Sequence, residues 1–217
     1  MTSIKIAKKI ISNDNVLYQN EKKLNEIEEY YSEDSTKNDD KDSFYEEDLF
    51  LDKKSLIINN ILNVLQLIIK DSEELEQPNI ESMNKFQIQF YEAFNSNRIP
   101  KISLKDYLIR ILKHSEIEIN TLISSLIYLD YLCTKNFIIS KYNVHKLLFI
   151  SILLSSKYNE DVIYDNETFS KIAGLKLDDV NKMENIFFKA CDHNLFIKEE
   201  TFYKYKDILE NNIYLVS

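Results

Sequence analysis

The chain has 217 residues, 44 % of them apolar, with 27 Lys+Arg against 36 Asp+Glu and a net charge of −9. This is enough apolar material for a sizeable core, and the acidity argues against nucleic-acid partners, whose phosphates call for a basic face. One glycine (Gly174) and two prolines (Pro78, Pro100), where average usage gives roughly 15 and 11, exclude Rossmann fingerprints, phosphate loops and nucleophile elbows and disfavour hairpin-rich folds.

Lys, Asn, Ile, Tyr and Phe are abundant, the bias of an AT-rich coding sequence, so the helical reading rests on periodicity. Residues 1–52 carry 14 acids and 7 lysines, which leaves a net of only −2 for the remainder. Met1 to Ile11 is too short and too broken by lysine for a signal peptide. No segment reaches the roughly 18 apolar residues of a membrane span, so no membrane partner is expected and the location is read as intracellular, cytoplasmic and/or nuclear. From Glu26 to Asp52 the chain is acidic and poor in aliphatics, and residues 1–52 are expected to form a largely disordered acidic tail. Ser32, Ser35 and Ser43 lie among its acids.

Apolar residues at helical spacing begin at Ser55, with Ile57, Ile58, Ile61, Leu62, Leu65, Ile68 and Ile69, and predict an amphipathic helix ending near Asp71. A polar link with Pro78 follows. Met83, Phe86, Phe90, Tyr91 and Phe94 then predict a shorter helix stopped by Asn95, Asn97 and Pro100. Residues 53–97 are thus leading helices, and 98–217 the main body. There, helices are predicted from Ser103 to His114, to Thr134, and from Lys141 to Tyr158 with Ser140 as cap. The last of these is apolar on nearly all sides and belongs at the centre of a bundle. Asn166 is expected to cap a short helix closed by Gly174, the position for a left-handed terminal residue. Two more run from Asp178 to Asn194 and from about Glu199 to Glu210. The fold class is all-α.

The chemistry is sparse. Cys133 and Cys191 sit in apolar runs, as small buried hydrophobes do. His114, His145 and His193 fall on different helices without metal-ligand spacing, and no nucleophile and base are paired. No cofactor, metal site or small-molecule ligand is predicted. The residues describe a helical interaction module, not an enzyme. Asp130 stands out because it is lodged among Ile127, Leu129 and Leu132, where a carboxylate wants a cation.

The order of local patterns from Arg98 to Leu209 resembles the P-type and U-type cyclins, the phosphate-regulon type with a single cyclin box. Arg98-Ile-Pro100-Lys-Ile-Ser103-Leu-Lys-Asp-Tyr107-Leu-Ile-Arg110-Ile is similar to that family's entry into the first box helix. Thr121 to Asp130 resembles the second helix with its YLD signature, and Tyr142-Asn143-Val-His145-Lys-Leu-Leu the start of the third. Ser155-Ser-Lys157-Tyr-Asn-Glu160-Asp161 is similar to the third helix's close. Phe169-Ser-Lys-Ile-Ala-Gly174-Leu, Val180-Asn-Lys-Met-Glu184 and Thr201-Phe-Tyr-Lys-Tyr resemble later segments. Departures are one glycine where the family often has two, Thr168 and Phe169 in place of a Tyr pair, and YLDYLC rather than YLDRL.

The resemblance implies a five-helix cyclin box with flanking helices, and a subunit that binds and activates a cyclin-dependent protein kinase. Such a subunit presses on the kinase's C-helix so that its glutamate pairs with the catalytic lysine. It further implies that Lys157 and Glu184 make the central polar contacts with the kinase. Glu160, Asp161 and Asp165 match an acidic turn lying towards the activation segment. Asp130 is implied to pair with a basic residue of the first box helix, Lys101 or Arg110, in a structural role. The competing reading is an adaptor that keeps the fold and activates no kinase.

Overall fold

The 3.6-residue spacing of apolar positions becomes helices throughout the computed structural model, which describes residues 42–74 and 83–211. In chain order these are α1 Asp42–Glu74, α2 Lys85–Phe94, α3 Leu104–Ser115, α4 Ile119–Thr134, α5 Val144–Asn159, α6 Asn166–Ala173, α7 Leu177–Ala190 and α8 Glu199–Asn211. No strand occurs among the described residues. Ser32, Ser35 and Pro78, with the first part of the acidic tail, lie outside them.

The first departure from expectation is at α1, which starts at Asp42 rather than Ser55. Residues 42–52 are helical although their composition suggested a disordered tail. Further along, Ile57, Ile61, Leu62, Val64 and Leu65 are buried, and the helix packs on α8 and α4.

The short helix α2 is held by a capping box, with the Asn84 side chain accepting from Gln87 N–H and the Gln87 side chain accepting from Asn84 N–H. Two orphan donors at the helix start are thereby satisfied. Its Phe90 lies 4.2 Å from Phe137 and its Phe94 6.1 Å from Phe187, ring centre to ring centre.

The centre of the bundle is α5, which packs on α4, α7 and α3 and is buried from Leu147 to Ser156, as its all-round apolarity predicted. Its buried hydroxyls return bonds to backbone carbonyls: Ser151 to Leu148 and Ser155 to Thr121. The helix begins at Val144, not Lys141, because the Asn143 amide is committed elsewhere. Its Nδ2 donates to Asn95 Oδ1 and Ile138 O, while its Oδ1 accepts from Ser140 N–H. Residues 141–143 therefore form a turn that ties α5 to the end of α2. Ser140 contributes its carbonyl to Val144 N–H and its hydroxyl to Tyr142 N–H.

At α6 the cap is one residue earlier than expected: Asp165 Oδ1 accepts from Thr168 N–H, and Asn166 is already helical. Gly174 closes the helix at φ +71°, the left-handed conformation its isolated occurrence suggested. The next helix ends at Ala190 instead of Asn194, since Asp192 and His193 turn the chain at positive φ (54° and 58°).

Candidate functional site

The end of α5 and the middle of α7 bring together the two residues that the resemblance singled out. Lys157 sits in the last turn of α5, where a cation is favoured by the helix dipole. Glu184 lies between the buried Val180 and Met183 on one side and Ile186 and Phe187 on the other. Lys157 Nζ and Glu184 Oε1 form an ion pair at 2.6 Å, with 30 % and 20 % of their side chains still exposed. A charge pair in this position is partly desolvated yet still reachable by a partner.

A third residue completes the arrangement. Asn166 Nδ2 donates to Glu184 Oε2 at 2.6 Å and to Asn181 Oδ1 at 2.7 Å, so both oxygens of the Glu184 carboxylate are held. Sequence reasoning treated Asn166 as a helix cap and missed this contact. Asp165 being the cap is what frees the Asn166 amide for α7. The Thr168 N–H bond also holds the Asp165 carboxyl below its ordinary range.

The acidic turn after α5 divides. Glu160 Oε1 accepts from Glu118 N–H at 3.1 Å, supplying an acceptor at the start of α4, where Glu118 makes no side-chain cap of its own. Asp161 is exposed, and it is followed by Val162 at 89 % exposure and by Ile163. Tyr164 turns its ring edge towards Phe169. The loop thus presents one acid and two apolar side chains to solvent.

Asp130, for which the resemblance implied a pairing with Lys101 or Arg110, is buried on α4 with 4 % exposure. Its Oδ2 accepts a short hydrogen bond from the Tyr205 hydroxyl, linking α4 to α8. Burial, and then the Asp130 charge, push the Tyr205 hydroxyl well above its usual range. Arg110 serves another end: its Nη2 donates to Lys171 O at 3.4 Å, beside Gly174, a cation placed at the C-terminus of α6. Lys101 is exposed. The signal for Tyr205 was present in the quoted Thr201-to-Tyr205 pattern, which had not been connected to the YLD segment.

That segment is bonded twice to the C-terminal region, because the Tyr128 hydroxyl also donates to Leu195 O at 2.8 Å. The Tyr142-to-Leu148 pattern has a structural use as well. His145 Nε2 bonds Ile102 O at 3.0 Å and its ring lies 5.3 Å from Tyr107, while Lys146 Nζ donates to Ala93 O. Burial lowers the pKa of both His145 and Lys146. Cys191 is buried and free, its thiol pushed up to about 12 by desolvation, so it is an inert packing group.

Residues 52–195 match the family profile described as Cyclin. Among curated proteins, the chain is 29 % identical over 180 residues to the "PHO85 cyclin-like protein psl1" of Schizosaccharomyces pombe, covering 78 % of this chain and 74 % of that one. It is 30 % identical to "Cyclin-U2-2" of Arabidopsis thaliana, covering 74 % and 70 %. To "PHO85 cyclin-7" of Saccharomyces cerevisiae it is 25 % identical, covering 73 % and 60 %.

Proposed function

The chain belongs to the cyclin family, in its P-type and U-type group, and from that premise we propose that it is the regulatory subunit of a cyclin-dependent protein kinase. In this reading it activates the kinase by fixing the position of its C-helix and does no chemistry itself. The observation that carries the reading is the Lys157–Glu184 pair, held at 2.6 Å across α5 and α7 and left partly open to solvent. A kinase C-helix laid across these two helices would be read by the pair, with exposed Tyr158 as an apolar neighbour. Asn166 keeps the Glu184 carboxylate in register, and Asp161 with Val162 and Ile163 would reach towards the activation segment.

The energetic argument concerns desolvation. A partner helix would remove the remaining water from both charges, and truncating one member of such a contact typically costs about 2–5 kcal/mol, because the opposing groups lose their partner. The test is affinity purification of the full chain with mass spectrometry of what it retains, followed by a kinase assay of the eluate. A cyclin-dependent kinase active on a protein substrate is expected. Lys157→Ala and Glu184→Ala should each weaken retention by at least about thirtyfold with the helical signal kept and melting lowered only by the loss of the α5–α7 pair, whereas Lys113→Ala on the exposed side of α3 should do neither. Equal retention by the double variant would refute the contact assignment. Partners without any kinase would favour the adaptor.

A further inference from the structure

Beside the face just described lies a groove of about 600 Å³, walled by the start of α4, the end of α5, the turn between α7 and α8, and the first turns of α8. Three aromatic side chains stand open to solvent on it: Tyr158 at 52 %, Phe196 at 66 % and Tyr203 at 51 % exposure. Glu118 and Glu199 also line it, and among the described residues no lysine or arginine does. A surface of this kind suits an apolar segment carrying positive charge.

The chain itself contains one such segment. Met1–Asn13 has Lys5, Lys8 and Lys9, no acidic residue, and Ile4, Ile6, Ile10 and Ile11. The stretch that follows, 14–52, carries all 14 acids of the first 52 residues with only four lysines, and an acidic groove repels it. We propose that the groove between α4, α5 and α8 is the docking site of the chain's own Met1–Asn13 segment, its isoleucines on the aromatics and its lysines towards Glu118 and Glu199.

Reach supports the assignment. A neighbouring cavity of about 490 Å³ shares Glu118 and Asn120 with the groove and is lined by Lys54 of α1, whose Nζ bonds Ile117 O. At 1.5 Å per residue, α1 runs about 18 Å from Lys54 back to Asp42. The 28 residues between Asn13 and Asp42 can span at most about 95 Å, well beyond the length of α1, so the segment is not too short to reach the groove. Since Tyr158 adjoins Lys157, a docked segment also competes with a kinase for the edge of the α5 face. That consequence alone rests on the kinase reading.

The test uses the full chain without any kinase. A photo-crosslinking amino acid, p-benzoylphenylalanine, is placed at Ala7, and the products are mapped by mass spectrometry. Crosslinks are expected within one molecule, to peptides holding Tyr158, Phe196 or Tyr203. Yield should fall about fivefold, the scale of an exposed ion pair, in Lys5→Glu/Lys8→Glu/Lys9→Glu, which leaves the folded body untouched. It should fall equally in Glu118→Lys/Glu199→Lys and recover when both sets are combined. Crosslinks to any other surface, products of two chains, or indifference to charge reversal would overturn the proposal. So would loss of the crosslink to added phosphatidylserine vesicles, which would assign the segment to a membrane surface. Failure of the kinase pull-down would leave these outcomes unchanged, so the two readings fail separately.

Discussion

A carboxylate with 4 % exposure, as Asp130 has, needs donors, because a hydrogen bond to an ionised group offsets its desolvation at close range. Its burial was legible from Ile127, Leu129 and Leu132 around it. The Tyr205 bond was not, since Tyr205 is 75 residues away and meets it through the docking of α8. Tyr205→Phe removes that donor while keeping the ring, and should cost about 1.5–3 kcal/mol, read by urea unfolding. Arg110→Ala should cost less, because its guanidinium bonds Lys171 O at the exposed end of α6; the reverse order would favour the ion-pair reading. His145 carries the other prediction at this scale. Its Nε2 is used on Ile102 O, whereas Nδ1 is buried with no partner among the described residues, so protonation places a charge where nothing receives it. Its pKa is lowered in the fold, hence the unfolded chain binds the proton more tightly. The stabilisation is present above the unfolded value near 6.5 and is lost as pH falls through the folded one. Melting followed from pH 7 to pH 5 should show a smaller decline in His145→Gln, whose amide keeps a donor for Ile102.

At the scale of the element, helix interiors were legible, and so were some ends, Thr134 of α4 and Glu199 of α8 among them, but other ends were not. Apolar spacing places α2 to α5 and α7 because burial of a face is encoded at 3.6-residue intervals, α6 is marked by its cap and Gly174, and the all-round apolarity of α5 correctly put it at the centre. Ends are decided by which of several adjacent polar side chains caps, and that depends on what else each is bonded to. Asn143 is drawn to Asn95 and Ile138, so α5 starts late; Asn166 is drawn to Glu184 and Asn181, so Asp165 caps α6. The candidate site followed the same pattern: Lys157 and Glu184 came through the resemblance, and Asn166 only through geometry. At Gly174, isolation in the sequence and a left-handed φ coincide. A Cβ there would lie 3.7 Å from Arg110 Nη2, an ordinary contact, so Gly174→Ala meets conformational strain and not a clash. It should lower stability by about 1–2 kcal/mol, measured by thermal or urea unfolding, with kinase retention unaltered because α6 keeps its Asp165 cap and Asn166 its bonds to α7.

For the whole molecule the open issue is where the folded body begins. We propose that 53–97 and 98–217 form one cooperative unit and that the preceding residues add little to its stability. In support, the family profile starts at residue 52, and α1 enters the core from Ile57 onwards, with Asn60 Nδ2 bonded to Leu209 O near the end of α8. Because α1 begins at Asp42, a chain starting at Lys53 cuts through a helix. Residues 42–52 should therefore disappear from the far-ultraviolet helical signal, while the contacts of Ile57, Ile61 and Leu65 remain. Helix propensity alone contributes only tenths of a kcal/mol per residue, and most helical stability comes from packing an apolar face. The shortened chain is thus expected to unfold in one transition, with a melting temperature within about 4 °C of the full chain, the shift that corresponds to roughly 1 kcal/mol at this size. It should also bind a kinase at least as well as the full chain does, since Lys157, Glu184 and Asn166 all lie in 98–217 and the Met1–Asn13 competitor is gone. A larger drop in melting temperature would mean that residues 42–52 pack on the body, and the boundary would then move upstream to Asp42.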